Sequence, residues 1–287
     1  MKPAAFHYEA PATLAEALRL IRENADDGKI LAGGQSLVPA MNFRLARPGV
    51  LVDINGVKEI DFLRETENEL IIGALTRHAA FHKPVCGGPL GVMMAKVVRN
   101  IAHYPIRQRG TFGGSLCHAD PASEWCLLAA TLGATMVIQN QDGAREVPAA
   151  EYFRGTFTTA VGADEILAEI RLPKFAPGWG TGFYEFSRRK GDFALAMSLA
   201  ALRIEGGVIR EARLGLGAVA DHGKRLVELE AELVGKEPTR ETFVNIGQRA
   251  KGMVNPSGDI HGSAEYRRDL AGTVIERALT EAAAEAV

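Results

Sequence analysis

Two glycine pairs, Gly33-Gly34 and Gly113-Gly114, are the residues of this chain best placed to do chemistry. The first stands in Ala32-Gly33-Gly34-Gln35-Ser36-Leu37, directly after a short apolar run; the second stands in Thr111-Phe112-Gly113-Gly114-Ser115. A diglycine bend lets the backbone come close to a ligand and turns amide N–H groups outward, which is what an anionic diphosphate requires. Two such bends from distant segments predict one long ligand held between them. Gln35 and Ser36 add side-chain hydrogen bonds to the first. A lone glycine pair also reads as a plain turn.

After the second bend, Asp120-Pro121 has the pattern of a helix start, with Asp as the cap and Pro at the first helical position. Asp120 then has two readings that do not exclude each other: helix cap, or contact to sugar hydroxyls of the ligand. A third patch, Tyr184-Glu185-Phe186-Ser187-Arg188-Arg189-Lys190-Gly191-Asp192, reads as a solvated basic turn between strands or as the source of a cation facing the ligand.

Other motifs carry less. Gly215-Leu216-Gly217-Ala218-Val219-Ala220 fits a dinucleotide fingerprint but lies among strands instead of opening a βαβ unit. His78 and His82 have the spacing of a zinc helix, yet Ala79 stands where a metalloprotease places Glu, so a satisfied or surface pair is expected. Cys86, Cys117 and Cys126 supply neither a disulfide framework nor a complete iron–sulfur or zinc site and read as small buried hydrophobes. No nucleophile elbow and no Walker sequence occurs.

The elements that must position the bends follow from periodicity. Thr13 and Glu16 form a capping-box pattern ahead of a helix with Leu14, Ala17, Leu18 and Ile21 on one face, ending at Asn24. A strand over 29–32 feeds the first bend; 37–45 reads as a short helix interrupted by Pro39, and 50–54 as the next strand. A strand over 69–73, a helix over 90–101 and the second bend at 110–115 come next, followed by a helix from Asp120 to Leu132 that stops at Gly133. Strands over 135–139 and 165–172 precede a Pro/Gly-rich stretch at 173–182, the best domain boundary. Beyond it, 183–187, 195–204 and 208–216 form a meander with a hairpin turn at Glu205-Gly206-Gly207, and helices near 224–234, 240–253 and 263–286 close the chain. Strands first and helices afterwards argue for α+β.

The chain has 287 residues, 47% of them hydrophobic, which suits one large or two moderate soluble domains. A net charge of −2 gives no electrostatic drive toward nucleic acid or anionic lipid. The N-terminus has no apolar signal region and no stretch approaches the ~18 apolar residues of a membrane helix, so a cytoplasmic protein without membrane insertion is expected.

The words around the bends, Leu31 to Pro39 and Thr111 to Glu124, resemble the FAD-binding (medium) subunits of molybdenum hydroxylases of the carbon monoxide dehydrogenase and xanthine dehydrogenase family. The Arg188-x-x-Gly191-Asp192-x-Ala194 and Ser263-Ala264-x-Tyr266-Arg267-Arg268 segments are also similar, and the likeness runs over nearly the whole chain. It implies an α+β fold: a two-part FAD-binding domain of the p-cresol methylhydroxylase type over 1–175, with subdomains of about 1–57 and 58–175, then a smaller α+β C-terminal domain over 178–287. It implies FAD as cofactor, contacted by Ala32, Gly33, Gly34, Gln35, Ser36, Leu37, Thr111, Gly113, Gly114, Ser115 and Asp120. Tyr184 and Lys190 are implied at the isoalloxazine end, where Lys190 or a neighbouring Arg would stabilise negative charge on the reduced ring. The 259–268 segment is implied to be structural, docking the last helix.

The same resemblance implies an oxidoreductase subunit without catalytic or metal-ligating residues of its own. A large molybdenum-cofactor subunit would hydroxylate the substrate, a small subunit would carry [2Fe-2S] clusters, and the flavin here would pass electrons to an external acceptor, in a dimer of heterotrimers. Gln35 stands where the carbon monoxide enzymes often have His, Ser115 stands where Asn is common, and His103 to Arg107 follows the family wording loosely. The alternatives are a stand-alone flavin oxidase or dehydrogenase with its own substrate pocket, and a flavin-free scaffold of the same fold.

Overall fold

The structure, a computed structural model, describes residues 1–286. Its first layer is a three-stranded parallel sheet in the order His7–Glu9, Val50–Asp53, Gly28–Leu31, covered by the helix Leu14–Glu23. Thr13 Oγ1 accepts from Glu16 N at 3.2 Å and the Glu16 carboxylate accepts from Ala12 N at 3.1 Å, so the capping pattern works as read. Ala17, Leu18 and Ile21 bury the helix against Val52 and Ile54, and this core continues into Ile166 and Ala168 of the next sheet.

The second sheet is antiparallel, in the order Leu63–Glu65, Glu69–Gly73, Ile166–Pro173, Thr135–Asn140, Gly143–Pro148. The helices Gly88–Val97, Phe112–His118 and Glu124–Leu132 pack on it around Phe81, Phe112 and Trp125, whose ring centroids lie 4.9–5.5 Å apart with no exposure. Fully buried aromatics of this size anchor the neighbouring chain: truncating one typically costs about 3–5 kcal/mol. Phe112 directly precedes Gly113, so this cluster fixes the second bend.

The third layer is an antiparallel meander, Trp179–Phe186, Ala196–Glu205, Val208–Gly217 and the short Lys224–Arg225, backed by the 22-residue helix Ala264–Glu285 and the helices Val227–Leu233 and Arg240–Lys251. Gly206 and Gly207 take φ of 61° and 76°, as the hairpin turn requires. Strand alternation splits its first strand: Trp179 and Phe183 join the core around Phe81, Phe112 and Trp125, whereas Tyr184 and Phe186 pack toward the long helix. The α+β reading holds.

Several elements differ from expectation. Pro39 does not interrupt the helix Leu37–Asn42, because it lies in the first turn where no N–H is needed. The second bend is not a loop but the first turn of the Phe112–His118 helix, capped by Thr111 Oγ1, which accepts from Gly114 N at 3.0 Å. The following helix starts at Glu124 with Ser123 as its cap; Asp120 instead accepts from Ala122 N at 2.8 Å in a turn of its own.

Candidate functional site

One cavity of about 1080 Å³ lies between the three layers. Ala32, Gly33, Gly34, Gln35, Ser36, Leu37, Thr111, Gly113, Gly114, Ser115 and Asp120 all line it, so the two bends share one cleft. Their junction is tight: Gly33 packs against the backbone of Arg109 and Gly110. Asn55 braces it by donating from Nδ2 to Ala32 O at 2.7 Å and accepting at Oδ1 from Arg77 at 2.5 Å, while Arg77 also donates to Arg109 O.

The two bends offer different chemistry. In the first, the N–H groups of Gly33, Gly34, Gln35, Ser36 and Leu37 meet no acceptor among the described residues, and the Gln35 amide folds back to donate to Gly33 O at 2.8 Å. Five successive residues that line a cavity and have unpaired amides can serve as an anion cradle of the kind a diphosphate uses. In the second, the amides of residues 112–115 are all taken: Phe112 N by Thr76 O, Gly113 N by Ala74 O, Gly114 N by Thr111 Oγ1 and Ser115 N by Thr111 O. Amides free for a ligand thus remain at the first bend, whereas at the second, where outward amides were expected, residues 112–115 spend theirs inside the protein. Gly113 is glycine because a Cβ there would stand 2.5 Å from Ala74 Cβ, and the segment serves as a wall.

Tyr184 and Lys190 do not line the cavity. Tyr184 faces the long helix, where the Arg277 guanidinium lies 4.6 Å from its ring and bonds its hydroxyl; the side chain of Lys190 is exposed. The cation of that turn on the cavity wall is Arg188, 4.0 Å from Asp192. Cys86 and Cys126 are buried as read, but Cys117 opens onto the cavity. Each histidine of the pair has one ring nitrogen engaged within the chain, His78 Nδ1 accepting from Trp125 at 3.0 Å and His82 Nε2 from Arg107 at 3.2 Å. Gly215 of the glycine-rich decoy allows the 124–132 helix to approach the meander, since a Cβ would meet Thr131 Oγ1 at 1.8 Å. Asp259 and Ser263 dock the last helix through Arg267 and Tyr266 N, as expected, while His261 between them reaches the cavity.

Lys29, Glu124 and His261 are lining residues that the sequence does not single out, and His78, which the sequence offers only as half of a metal-spaced pair, lines the cavity as well. Glu124 is pushed up to about 7 by burial, with Asp120 nearby adding to the rise and Arg107 opposing it. Glu185, next to Tyr184 on the same strand, is pushed up to about 9 by burial and by the charge of Glu124, and its Oε2 has no partner. Two neighbouring carboxyls, of which Glu124 lines the cavity, thus resist ionisation together. Among the described residues no helix is long and apolar enough to cross a membrane.

Comparison with known proteins agrees with this geometry. Residues 4–175 match a family model described as the FAD binding domain in molybdopterin dehydrogenase, and 182–282 one described as the CO dehydrogenase flavoprotein C-terminal domain. The nicotine 6-hydroxylase medium subunit of Paenarthrobacter nicotinovorans is 37% identical, with 99% of each chain covered. The carbon monoxide dehydrogenase medium chain of Hydrogenophaga pseudoflava is 34% identical, with 98% of each covered. Among solved structures, carbon monoxide dehydrogenase from Hydrogenophaga pseudoflava superposes with a TM-score of 0.96 at 35% identity over 100% of both chains. Quinoline 2-oxidoreductase from Pseudomonas putida 86 gives 0.93 at 37% identity, covering 100% of this chain and 99% of the other. A chain with both domain types in this order, matched end to end, belongs to the family of FAD-binding medium subunits of molybdenum hydroxylases, oxidoreductase complexes whose molybdenum and iron–sulfur centres lie on other subunits.

Proposed function

We propose that the chain holds FAD with its diphosphate on the amides of Gly33 to Leu37, within a FAD-binding domain over 1–175 followed by a C-terminal domain over 178–287, and that it passes electrons from a partner's iron–sulfur clusters to an external acceptor. The observation that carries this reading is the row of five unpaired amides on the cavity wall. Bound FAD supplies two-electron storage and release. This chain's residues bind and orient it. The 33–37 amides neutralise phosphate charge, Ser36 adds a hydroxyl, and Asp120 has one carboxylate oxygen committed to Ala122 N and the other free to accept a sugar hydroxyl. Thr111, Gly113, Gly114 and Ser115 close the opposite wall. Arg188 contributes positive charge at the end lined by the C-terminal domain, the role that the resemblance gives to Lys190 or a neighbouring Arg, and Tyr184 supports that domain from behind.

The assembly we infer is a dimer of heterotrimers with a large molybdenum subunit and a small iron–sulfur subunit, in the cytoplasm, where three free thiols stay reduced. Substrate choice belongs to the large subunit. The purified chain, stripped of cofactor, should bind FAD with quenching of its fluorescence, and the co-expressed complex should carry molybdenum, iron and FAD together. A chain that binds no FAD, alone or in the complex, overturns the reading; FAD without molybdenum or iron in the native complex favours a stand-alone flavoenzyme.

A further inference from the structure

Beneath the junction of the two bends sits a histidine that the diphosphate cradle does not use. His78 is 4% exposed, its backbone N donates to Gly110 O at 3.0 Å, and its side chain lines the cavity. The Trp125 indole N–H donates to His78 Nδ1 at 3.0 Å. An indole nitrogen can only donate, so the ring nitrogen it meets must be unprotonated, and in the neutral imidazole the proton resides on the other nitrogen, Nε2. Nε2 lies against Gly110, where an added Cβ would stand 2.6 Å away, and Gly110 Cα in turn abuts Gly33. No described residue accepts from Nε2, and the atom is not sealed from the cavity.

We propose that His78 is a binding residue of this cavity, a neutral imidazole whose Nε2–H, fixed by Trp125, donates to an acceptor oxygen of the bound flavin nucleotide at the junction of the two bends. The inference rests on the FAD reading above and adds to it a donor that keeps its charge state. Burial and the cations facing it, Arg77 beside it and Arg107 from the Tyr104–Arg109 helix, push its ionisation down to about 3, so it donates without titrating across the physiological range.

The test is imidazole nitrogen NMR on the cofactor-free chain, followed by FAD addition. The expected signal is an Nε2–H tautomer unchanged between about pH 5 and 8, whose Nε2 proton shifts and becomes protected from exchange when FAD binds. His78→Gln, which keeps a donor, should hold FAD close to wild type, whereas His78→Phe should lose about tenfold in affinity at unchanged near-ultraviolet dichroism. An Nδ1–H tautomer, or an imidazole signal blind to FAD in a chain that does bind it, overturns the assignment of His78 alone; a wild-type chain that fails to bind FAD defeats the reading beneath it. The NMR arm uses the native sequence, so misfolding of a variant leaves the outcome decided.

Discussion

Gly33 lies so close to Arg109 that a Cβ on Gly33 would stand 2.4 Å from the Arg109 carbonyl oxygen and 2.7 Å from Gly110 Cα. The glycine is required by protein packed behind it, on a cavity wall where its amide has no protein acceptor. Gly33→Ala must push backbone against backbone, a form of overpacking that costs about 1–3 kcal/mol. FAD affinity should fall about tenfold or more, read by fluorescence titration. Gly34→Ala acts differently, through its φ of 72°, where a Cβ costs roughly 1–2 kcal/mol. Equal affinities for both variants and wild type would remove the first bend from the site.

Asn55 and Arg77 hold that junction from outside the cavity. Asn55 Oδ1 accepts from Arg77 at 2.5 Å, and Asn55 Nδ2 reaches both Ala32 O and Asp53 Oδ1. Asn55→Ala leaves a half-buried guanidinium without one acceptor and Ala32 O without its donor, a loss of about 1–3 kcal/mol. The expected result is a melting point several degrees lower together with weaker FAD binding; a drop in stability with full FAD affinity would separate the brace from the binding loop.

Much of this architecture was legible because local rules and tertiary packing agree. The Thr13/Glu16 cap, the strand running into Gly33, the stop at Gly133 and the hairpin at Gly206-Gly207 each carry their own residue chemistry. What stayed hidden depends on distant partners. Gly113 and Gly114 have low helix propensity, and only packing on Ala74 and the Thr111 cap makes them a helical turn with consumed amides. Tyr184 and Glu185 are adjacent on a strand buried on both faces, so alternation without an amphipathic pattern gives no sign of which one packs toward the long helix. The only motif that holds His78 is a metal spacing unrelated to its place here, and Glu124 has none; their surroundings arise from Trp125 and from enclosure.

Lys96 ties the FAD-binding domain to the C-terminal helix. Its Nζ donates to Thr181 O at 3.1 Å, Glu281 Oε1 at 2.8 Å and Glu285 Oε1 at 2.5 Å. Burial alone would lower its ionisation, but the hydrogen bonds to the two carboxylates outweigh it and the net direction is up. With a folded value above the ordinary one, the contribution is fully present below about pH 10 and is lost as pH climbs through the raised value. Lys96→Met keeps the apolar stem and removes three bonds, and should cost about 1–3 kcal/mol at neutral pH. A melting curve equal to wild type would make the strap decorative.

Glu185 gives the opposite pH dependence from an ordinary paired carboxylate. Its folded ionisation is raised from 4.5 to about 9 by burial and by the charge of Glu124, so between those values the folded chain binds a proton that the unfolded chain has released. Stability therefore declines as pH rises through that window, since the folded state alone must keep a proton that is increasingly scarce or else bury a charge. Glu124, raised to about 7, steepens the lower half of the same decline. Glu185→Gln removes the titration while keeping the shape, and its melting point should exceed wild type by several degrees near pH 9 yet match it near pH 5. Thermal melts of the cofactor-free chain across this range check it. Parallel curves for the two proteins would mean that Glu185 ionises normally and that its unpartnered oxygen meets water.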